Sequence, residues 1–344
     1  MKKIYLIVIL LLGVLSIGCE NKEYSSYDMD VFAMGSYIKV SIYSQEKVDD
    51  KIFERIENVI RDVDHKMSIN DKNVESEVDK INEKAGTEFV NVSEETFELI
   101  ERGIKYSKET DENLDIAIGS VVKLWNIGFE DASLPNDLDI KNALSLVDID
   151  KISLNKKENS IMIKQKGMMI DLGSIAKGYI GEKIKSIILN SGYKHAVLNI
   201  GGNILCIGEK VDSTPYKVGI RDGKKSKNDV IGALDVVNES VVTSGIYERN
   251  FVNNGKIYHH ILDRKTGYPV ENNLQSVSII SYDSTYCDAL STAIFSMGLD
   301  KGLEYINKKD NVEAIFVTKD NKVYLTNGIK GKFKLTSDEY NLQQ

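Results

Sequence analysis

The chain is 344 residues long, with a formal net charge of −8, 42% apolar residues, three prolines and three cysteines. The acidic balance argues against nucleic acid as a partner, because such binding needs a basic footprint. Three cysteines are too few for a disulfide framework, and the length suits one large domain or two intimate subdomains.

Met1-Lys2-Lys3 precedes an apolar run from Ile4 to Ile17 and then Gly18-Cys19, the layout of a basic n-region, an h-region and a small-residue cleavage site. The run falls short of the ~20 apolar residues that a membrane-spanning helix needs, so residues 1–18 are expected to be an export signal. Cys19 at the cut is similar to a bacterial lipobox, with Ser16 where Leu is usual. Cys19 is therefore the expected acylated residue, which would anchor the protein on the extracytoplasmic face of the cell membrane. Residues 19–30 would form a polar tether, 31–335 the folded domain and 336–344 a tail. Removing residues 1–18 takes away Lys2 and Lys3 and moves the net charge from −8 to −10. Cys206, in the apolar run Ile204–Ile207, reads as a small buried hydrophobe; its pairing with Cys287 stays open.

Tyr37–Tyr43 alternates, with Ile38, Val40 and Ile42 on one face, and predicts a strand entered through Met34-Gly35-Ser36. Ile52, Ile56, Val59, Ile60 and Val63 then fall at helical spacing. Ser93, followed by Glu94 and Glu95, predicts a capped second helix carrying Phe97, Ile100 and Ile104. Short strands between Ile152 and Leu172 lead into a third helix from about Ser174 to the stop at Asn190-Ser191-Gly192. Strands are expected over 196–200, 203–207, 216–220, 233–237, 258–262 and 276–280. A fourth helix from near Ser284 should carry Ala289, Thr292, Ala293 and Leu303, before a hairpin of 314–318 and 322–325. Helices and strands do not alternate regularly, which predicts an α+β fold of mixed, largely antiparallel sheets with packed helices.

Several groups bear chemistry. Asp288 and Thr292, four apart on the fourth helix, share a face; one carboxylate and one hydroxyl suit Mg²⁺, which takes its other oxygens from water and phosphate. A helix-terminal Asp and a Thr bonding its own backbone would look the same. Asp171-Leu172-Gly173-Ser174 runs into a helix start that offers N–H groups to an anion, with Lys177 one turn on. Asn199-Ile200-Gly201-Gly202-Asn203 permits close approach to a ligand and equally a tight strand-to-strand turn. His260 precedes Asp263 and titrates in the range of a general base, or is a half-buried histidine bonded to backbone.

Met34-Gly35-Ser36, Asp171–Tyr179, Asn199–Asn203, Thr243-Ser244-Gly245-x-Tyr247, His260–Pro269 and Asp288–Ala293 occur in the order and approximate spacing of the ApbE family, which the chain resembles over roughly 30–335. The resemblance implies an ApbE-like, T-fold-related architecture and Mg²⁺-dependent transfer of FMN from FAD to a threonine or serine of another exported protein. It implies a metal site at Asp288, Thr292 and the Ser174 main-chain carbonyl. It also implies FAD contacts at Met34, Asn70, Asp115, Ile116, Ala117, Gly119, Asp171, Lys177, His260 and Ile261, with His260 as base. The family's Met-Ser-x-Tyr segment is Met67-Ser68-Ile69-Asn70 here, so an aromatic contact to the flavin is lost. Arg264 stands where Pro is common. The same site acting on water would be an FAD pyrophosphatase, and binding without turnover would make an FAD carrier.

Overall fold

The computed structural model describes residues 23–69, 75–226 and 228–343. Asn70, the signal segment and Cys19 lie outside the described residues. The chain begins with a hairpin of β1 (Ser25–Ala33) and β2 (Ser36–Ser44), followed by α1 (Asp50–Met67), α2 (Glu77–Glu83), β3 (Val90–Asn91) and α3 (Glu94–Glu109). Next come α4 (Gly119–Trp125), α5 (Asp137–Leu144), β4 (Ile152–Asn155), β5 (Ser160–Ile163) and α6 (Ala176–Asn190). The central run is all strand: β6 (Ala196–Ile200), β7 (Asn203–Ile207), β8 (Tyr216–Arg221), β9 (Val230–Val236), β10 (Ser240–Gly245), β11 (Asn250–Asn253), β12 (Lys256–His259) and β13 (Leu274–Ser281). α7 (Ser284–Met297), α8 (Leu299–Ile306), β14 (Glu313–Thr318), β15 (Lys322–Leu325), β16 (Phe333–Leu335) and β17 (Asn341–Leu342) complete it.

A nine-stranded sheet of order β1-β2-β6-β7-β10-β13-β14-β15-β17 is antiparallel except for its last, parallel pair. On one face lie α1, α6 and α7, whose apolar stripes (Ile52, Ile56, Ile60; Ile180, Ile184, Ile188; Leu290, Ile294) join the inward residues of the strands. On the other face the three-stranded sheet β16-β9-β8 packs Val218, Ile231, Leu234 and Phe333 onto Val241, Ile280 and Val317. This is the expected α+β architecture. A satellite cluster of Val121, Trp125, Ile127 and Ile140 receives Phe251 and Tyr258 of the β11–β12 hairpin, and that hairpin ends at the doorstep of His260.

The helix starts follow their caps: Asp49, Ser93 and Asp283 each accept from a backbone N–H of the first turn of α1, α3 and α7. Several boundaries differ from expectation, among them the strand expected over 233–237, which runs over Val230–Val236. Residues 25–30, read as tether, belong to edge strand β1, where solvent on one face lets Ser26, Asp28 and Asp30 alternate with Tyr27, Met29 and Val31. Tyr340 of the expected tail is 3% exposed, and Asn341–Leu342 pair with β15. The fourth helix ends at Gly298, whose φ of 79° starts α8, so Leu303 lies on a separate helix. β12 ends at His259, short of the expected Leu262, which makes only an isolated bridge to Pro269. Cys206 and Cys287 are both buried free thiols.

Candidate active site

Two tight turns define one end of the large sheet. Met34-Gly35 joins β1 to β2, and Gly201-Gly202 joins β6 to β7, each between directly paired residues (Ala33↔Ser36; Ile200↔Asn203) and each with positive φ at both positions. That is the hairpin turn whose twist matches the strands. The paired glycines therefore serve a turn, and Gly201 also nestles against Ser36, where a Cβ would approach to 2.7 Å. Met34 is the exception: a long side chain held at φ 52°, where glycine or asparagine is usual. Asp64 of α1 accepts from its N–H at 2.9 Å, and Arg249 Nη2 reaches its carbonyl at 3.5 Å.

Beside these turns α6 crosses α7. The crossing is close because Gly178 has no side chain; a Cβ there would lie 2.3 Å from the Ser284 carbonyl oxygen. It brings Asp288 against the N-terminus of α6, where Gly178 N–H donates to its Oδ2 at 2.8 Å. Asn203, just past the glycine turn, donates to Oδ1 at 3.0 Å. Asp288 is 4% exposed, and burial raises its pKa above the usual carboxylate value; the Lys177 charge, the backbone N–H groups of Gly178 and Lys177 and the Asn203 amide oppose the rise. One turn along α7, Thr292 lies 3.5 Å from Ser244 Oγ of β10, which also bonds Ser291 Oγ at 2.8 Å.

The oxygens expected from the sequence to hold a metal are the Asp288 carboxylate and the Thr292 hydroxyl, one turn apart on α7, and the carbonyl of Ser174, which stands just before the start of α6 against which Asp288 is held. Among the described residues no group of three or more His, Cys, Asp or Glu is arranged to hold a metal. These residues fit a hard cation that draws its remaining ligands from water and substrate, such as Mg²⁺. They do not suit a thiolate- or imidazole-bound metal.

His260 is linked to the Met34 turn through Arg249. Its backbone N–H and its Nδ1 both meet the Arg249 carbonyl, at 3.1 and 3.2 Å. A carbonyl only accepts, so Nδ1 carries the hydrogen and Nε2 keeps its lone pair. Burial first, then the cations Arg249 and Lys177, push its pKa down to about 3. At neutral pH the ring is therefore uncharged with its Nε2 lone pair available, but it is a weaker base than the near-neutral titration expected of it from the sequence, because burial and the two cations disfavour the protonated ring; an anion beside Arg249 and Lys177 would offset the second cause. Its neighbour His259 is a structural residue: 6% exposed, bonded to the Val270 carbonyl at 3.1 Å, and pushed down to about 4 by burial.

Asp171 completes the wall. Burial raises its pKa, opposed by the Gly173 N–H, which donates to Oδ1 at 2.8 Å, and by Arg249. Its own N–H donates to the Ile116 carbonyl at 2.8 Å, so the Asp115–Gly119 stretch runs alongside. The side chains of Ile116, Ala117 and Ile261 are buried in the core, which leaves only their main chain for a ligand. Asp115 is occupied: it accepts from Ala117 N–H at 2.8 Å and Arg264 Nε at 3.1 Å, and Arg264 also pairs with Glu112. The arginine at the usual proline position thus closes over a buried carboxylate. A polar cavity of about 460 Å³ opens behind it, between Asp111–Asn113, Asp263–Lys265 and α8; Met34, Asp171, His260 and Asp288 do not line it.

The structure thus gathers Met34, Asp171, Lys177, His260 and Asp288 around the turn end of the sheet. Four participants went unassigned from sequence: Asp64, Asn203, Ser244 and Arg249. Asn203 and Ser244 lie within motifs that were noticed, but their partners are 85 and 48 residues away in the chain, beyond any local signal.

The fold and the site define a class. A sequence profile of the ApbE family matches residues 34–316, and the chain belongs to that family. It is 35% identical over 321 residues to an FAD:protein FMN transferase of Klebsiella pneumoniae, covering 93% of this chain and 97% of that one. The corresponding Treponema pallidum protein is 30% identical, with 99% and 98% covered. The crystal structure of the ApbE protein of Thermotoga maritima superposes with a TM-score of 0.81 at 33% identity, covering 89% of this chain and 98% of that one.

Proposed function

We propose that the protein transfers FMN from FAD to a hydroxyl residue of an acceptor protein, releasing AMP. The observation that carries this reading is His260, held neutral with Nε2 free, facing a site that holds two cations, Arg249 and Lys177, and an all-oxygen cluster at Asp288. Such a site suits the diphosphate of a dinucleotide and the deprotonation of an alcohol.

His260 Nε2 would take the proton of the acceptor threonine or serine hydroxyl. That oxygen forms a bond to the FMN-side phosphorus as the P–O bond to AMP breaks, and FMN stays on the acceptor as a phosphoester. Asp288, Thr292 and the Ser174 carbonyl would hold Mg²⁺, which when bound neutralises charge on the diphosphate. Met34, the Asp115–Gly119 main chain, Asp171 and the main chain at Ile261 would line the FAD site. The signal-like pattern of residues 1–18 and the lipobox-like placement of Cys19 support a lipid-anchored enzyme on the extracytoplasmic face, where exported acceptors would reside.

The test is to mix the purified protein with FAD and Mg²⁺, with and without a threonine-bearing acceptor domain, and to quantify AMP, free FMN and acceptor mass. AMP with an FMN-sized gain on the acceptor, lost on chelation, is expected. Equal AMP and free FMN with no gain on any acceptor would make the protein an FAD pyrophosphatase, and intact bound FAD would make it a carrier.

A further inference from the structure

Arg249 is a cation without a counterion in a site that must hold an anion. It leads into β11, and its side chain runs over Gly128, where a Cβ would stand 2.8 Å from Arg249 Cδ, to place Nη2 beside the Met34-Gly35 turn. The nearest acid in sequence, Glu248, is turned to Arg221 instead, at 3.7 Å. Among the described residues no carboxylate forms an ion pair with Arg249 or with Lys177; each is felt electrostatically by His260, Arg249 also by Asp171, and Lys177 also by Asp288. A single weak contact to a carbonyl, 3.5 Å long, leaves most of the donors of the guanidinium unused. Lys177 reaches the same place from the other side, its Cδ 3.9 Å from where a Gly201 Cβ would stand.

The other end of the same residue holds the base. The Arg249 carbonyl accepts from both the backbone N–H and Nδ1 of His260. One residue therefore fixes the ring's orientation and tautomer while directing a fork of N–H donors into the site.

We infer that Arg249 grips the diphosphate of FAD opposite Lys177 and, through its carbonyl, sets His260 against the phosphorus, so that binding the substrate and positioning the base are done by one residue. This rests on the FAD reading above. Arginine suits the task because its planar fork matches two phosphate oxygens at once. The shape of the loop supports the assignment: Gly128 leaves room for the arginine stem, which a Cβ would meet at 2.8 Å, so its course is defined before any substrate arrives.

The test compares wild type with Arg249→Met and Arg249→Lys. Methionine keeps the stem that crosses Gly128 and removes the charge. FAD affinity is read from quenching of flavin fluorescence at low and high salt, with thermal melting as a check on folding. Loss of a charge-assisted pair predicts about a 10- to 100-fold weaker FAD affinity for Arg249→Met, a shallower salt dependence than wild type, a partial return in Arg249→Lys, and an unchanged melting temperature. The carbonyl hold on His260 survives in both variants, but the guanidinium charge that helps lower its pKa is lost in Arg249→Met, so the pH profile of turnover at saturating FAD should move towards higher pH in Arg249→Met and stay in place in Arg249→Lys. An Arg249→Met protein that melts normally and binds FAD within twofold of wild type overturns the inference. So does equal weakening with no change in salt dependence. Wild-type protein that binds no FAD would instead overturn the functional reading on which the inference rests.

Discussion

The contact between Asn203 and Asp288 gives the most direct test of how the site is built. Both residues are nearly sealed from solvent, at 3% and 4% exposure, and the amide donates to the carboxylate at 3.0 Å. Replacing Asn203 with Leu keeps the bulk and removes the donor, so one oxygen of a buried carboxylate is left desolvated and unpaired. Hydrogen bonds to charged groups contribute ~1.5–3 kcal/mol, and the loss should be ~2–3 kcal/mol at neutral pH. For a chain of this length that corresponds to a melting shift of about 3–5 °C. The pH dependence discriminates further. Asp288 titrates above its unfolded value because of burial, so ionisation at neutral pH costs folding energy, and the cost falls as pH drops through the folded pKa. The deficit of Asn203→Leu, measured by denaturant unfolding without divalent cations, should therefore shrink between pH 7.5 and about 4.5, just above the unfolded carboxylate range. A deficit below ~0.5 kcal/mol, or one identical at both pH values, would refute the idea that Asn203 compensates the Asp288 charge. In the presence of Mg²⁺ the same variant should need about 10- to 100-fold more metal for half-maximal turnover.

Other consequences can be checked separately. Gly178→Ala drives a methyl into the Ser284 carbonyl and should cost ~1–3 kcal/mol in denaturant unfolding while weakening Mg²⁺-dependent turnover. Met34→Asn relieves a strained turn, so melting should rise by an amount equivalent to about 0.5–1 kcal/mol while FAD affinity falls; equal affinity would remove Met34 from the flavin site. His259 titrates at about 4 in the fold and near 6.5 unfolded. Its contribution to stability is thus complete above the unfolded value and is lost as pH falls towards 4, by ~3 kcal/mol. His259→Gln should flatten that part of the wild-type stability curve relative to the opposing carboxylates, and parallel curves would show that His259 does not titrate as described. His260→Ala should abolish transfer with little change in FAD binding, and unchanged transfer across neutral pH would exclude it as the base.

Much of the fold was legible because its signals are local. The stripe Ile52, Ile56, Ile60 and Val63 fixes α1, Ser93 fixes the start of α3, and the glycine pair fixes the β6–β7 turn, since each depends only on neighbours within a few residues. The edges were misread for a physical reason. β1 and β17 border solvent, so their polar residues carry no mark that separates a strand from a tether or tail. Leu303 falls in phase with α7, and only the backbone reversal at Gly298 puts it on another helix.

The site divides in the same way. Asp288, Thr292, His260 and the Asp171–Lys177 turn stand out in the sequence by residue type and spacing. Their meeting does not: α6 reaches Asp288 because Gly178 lets two helices touch 110 residues apart, and Asn203 arrives from the sheet. The sequence by itself determined the family and the α+β composition and marked the residues proposed to do the chemistry, because periodicity and motif are properties of adjacent positions. Only the tertiary structure decided which carboxylate is capped, which histidine nitrogen is free and that Arg249 faces the site with no ion-pair partner among the described residues, because those depend on what burial and long-range packing place opposite each group.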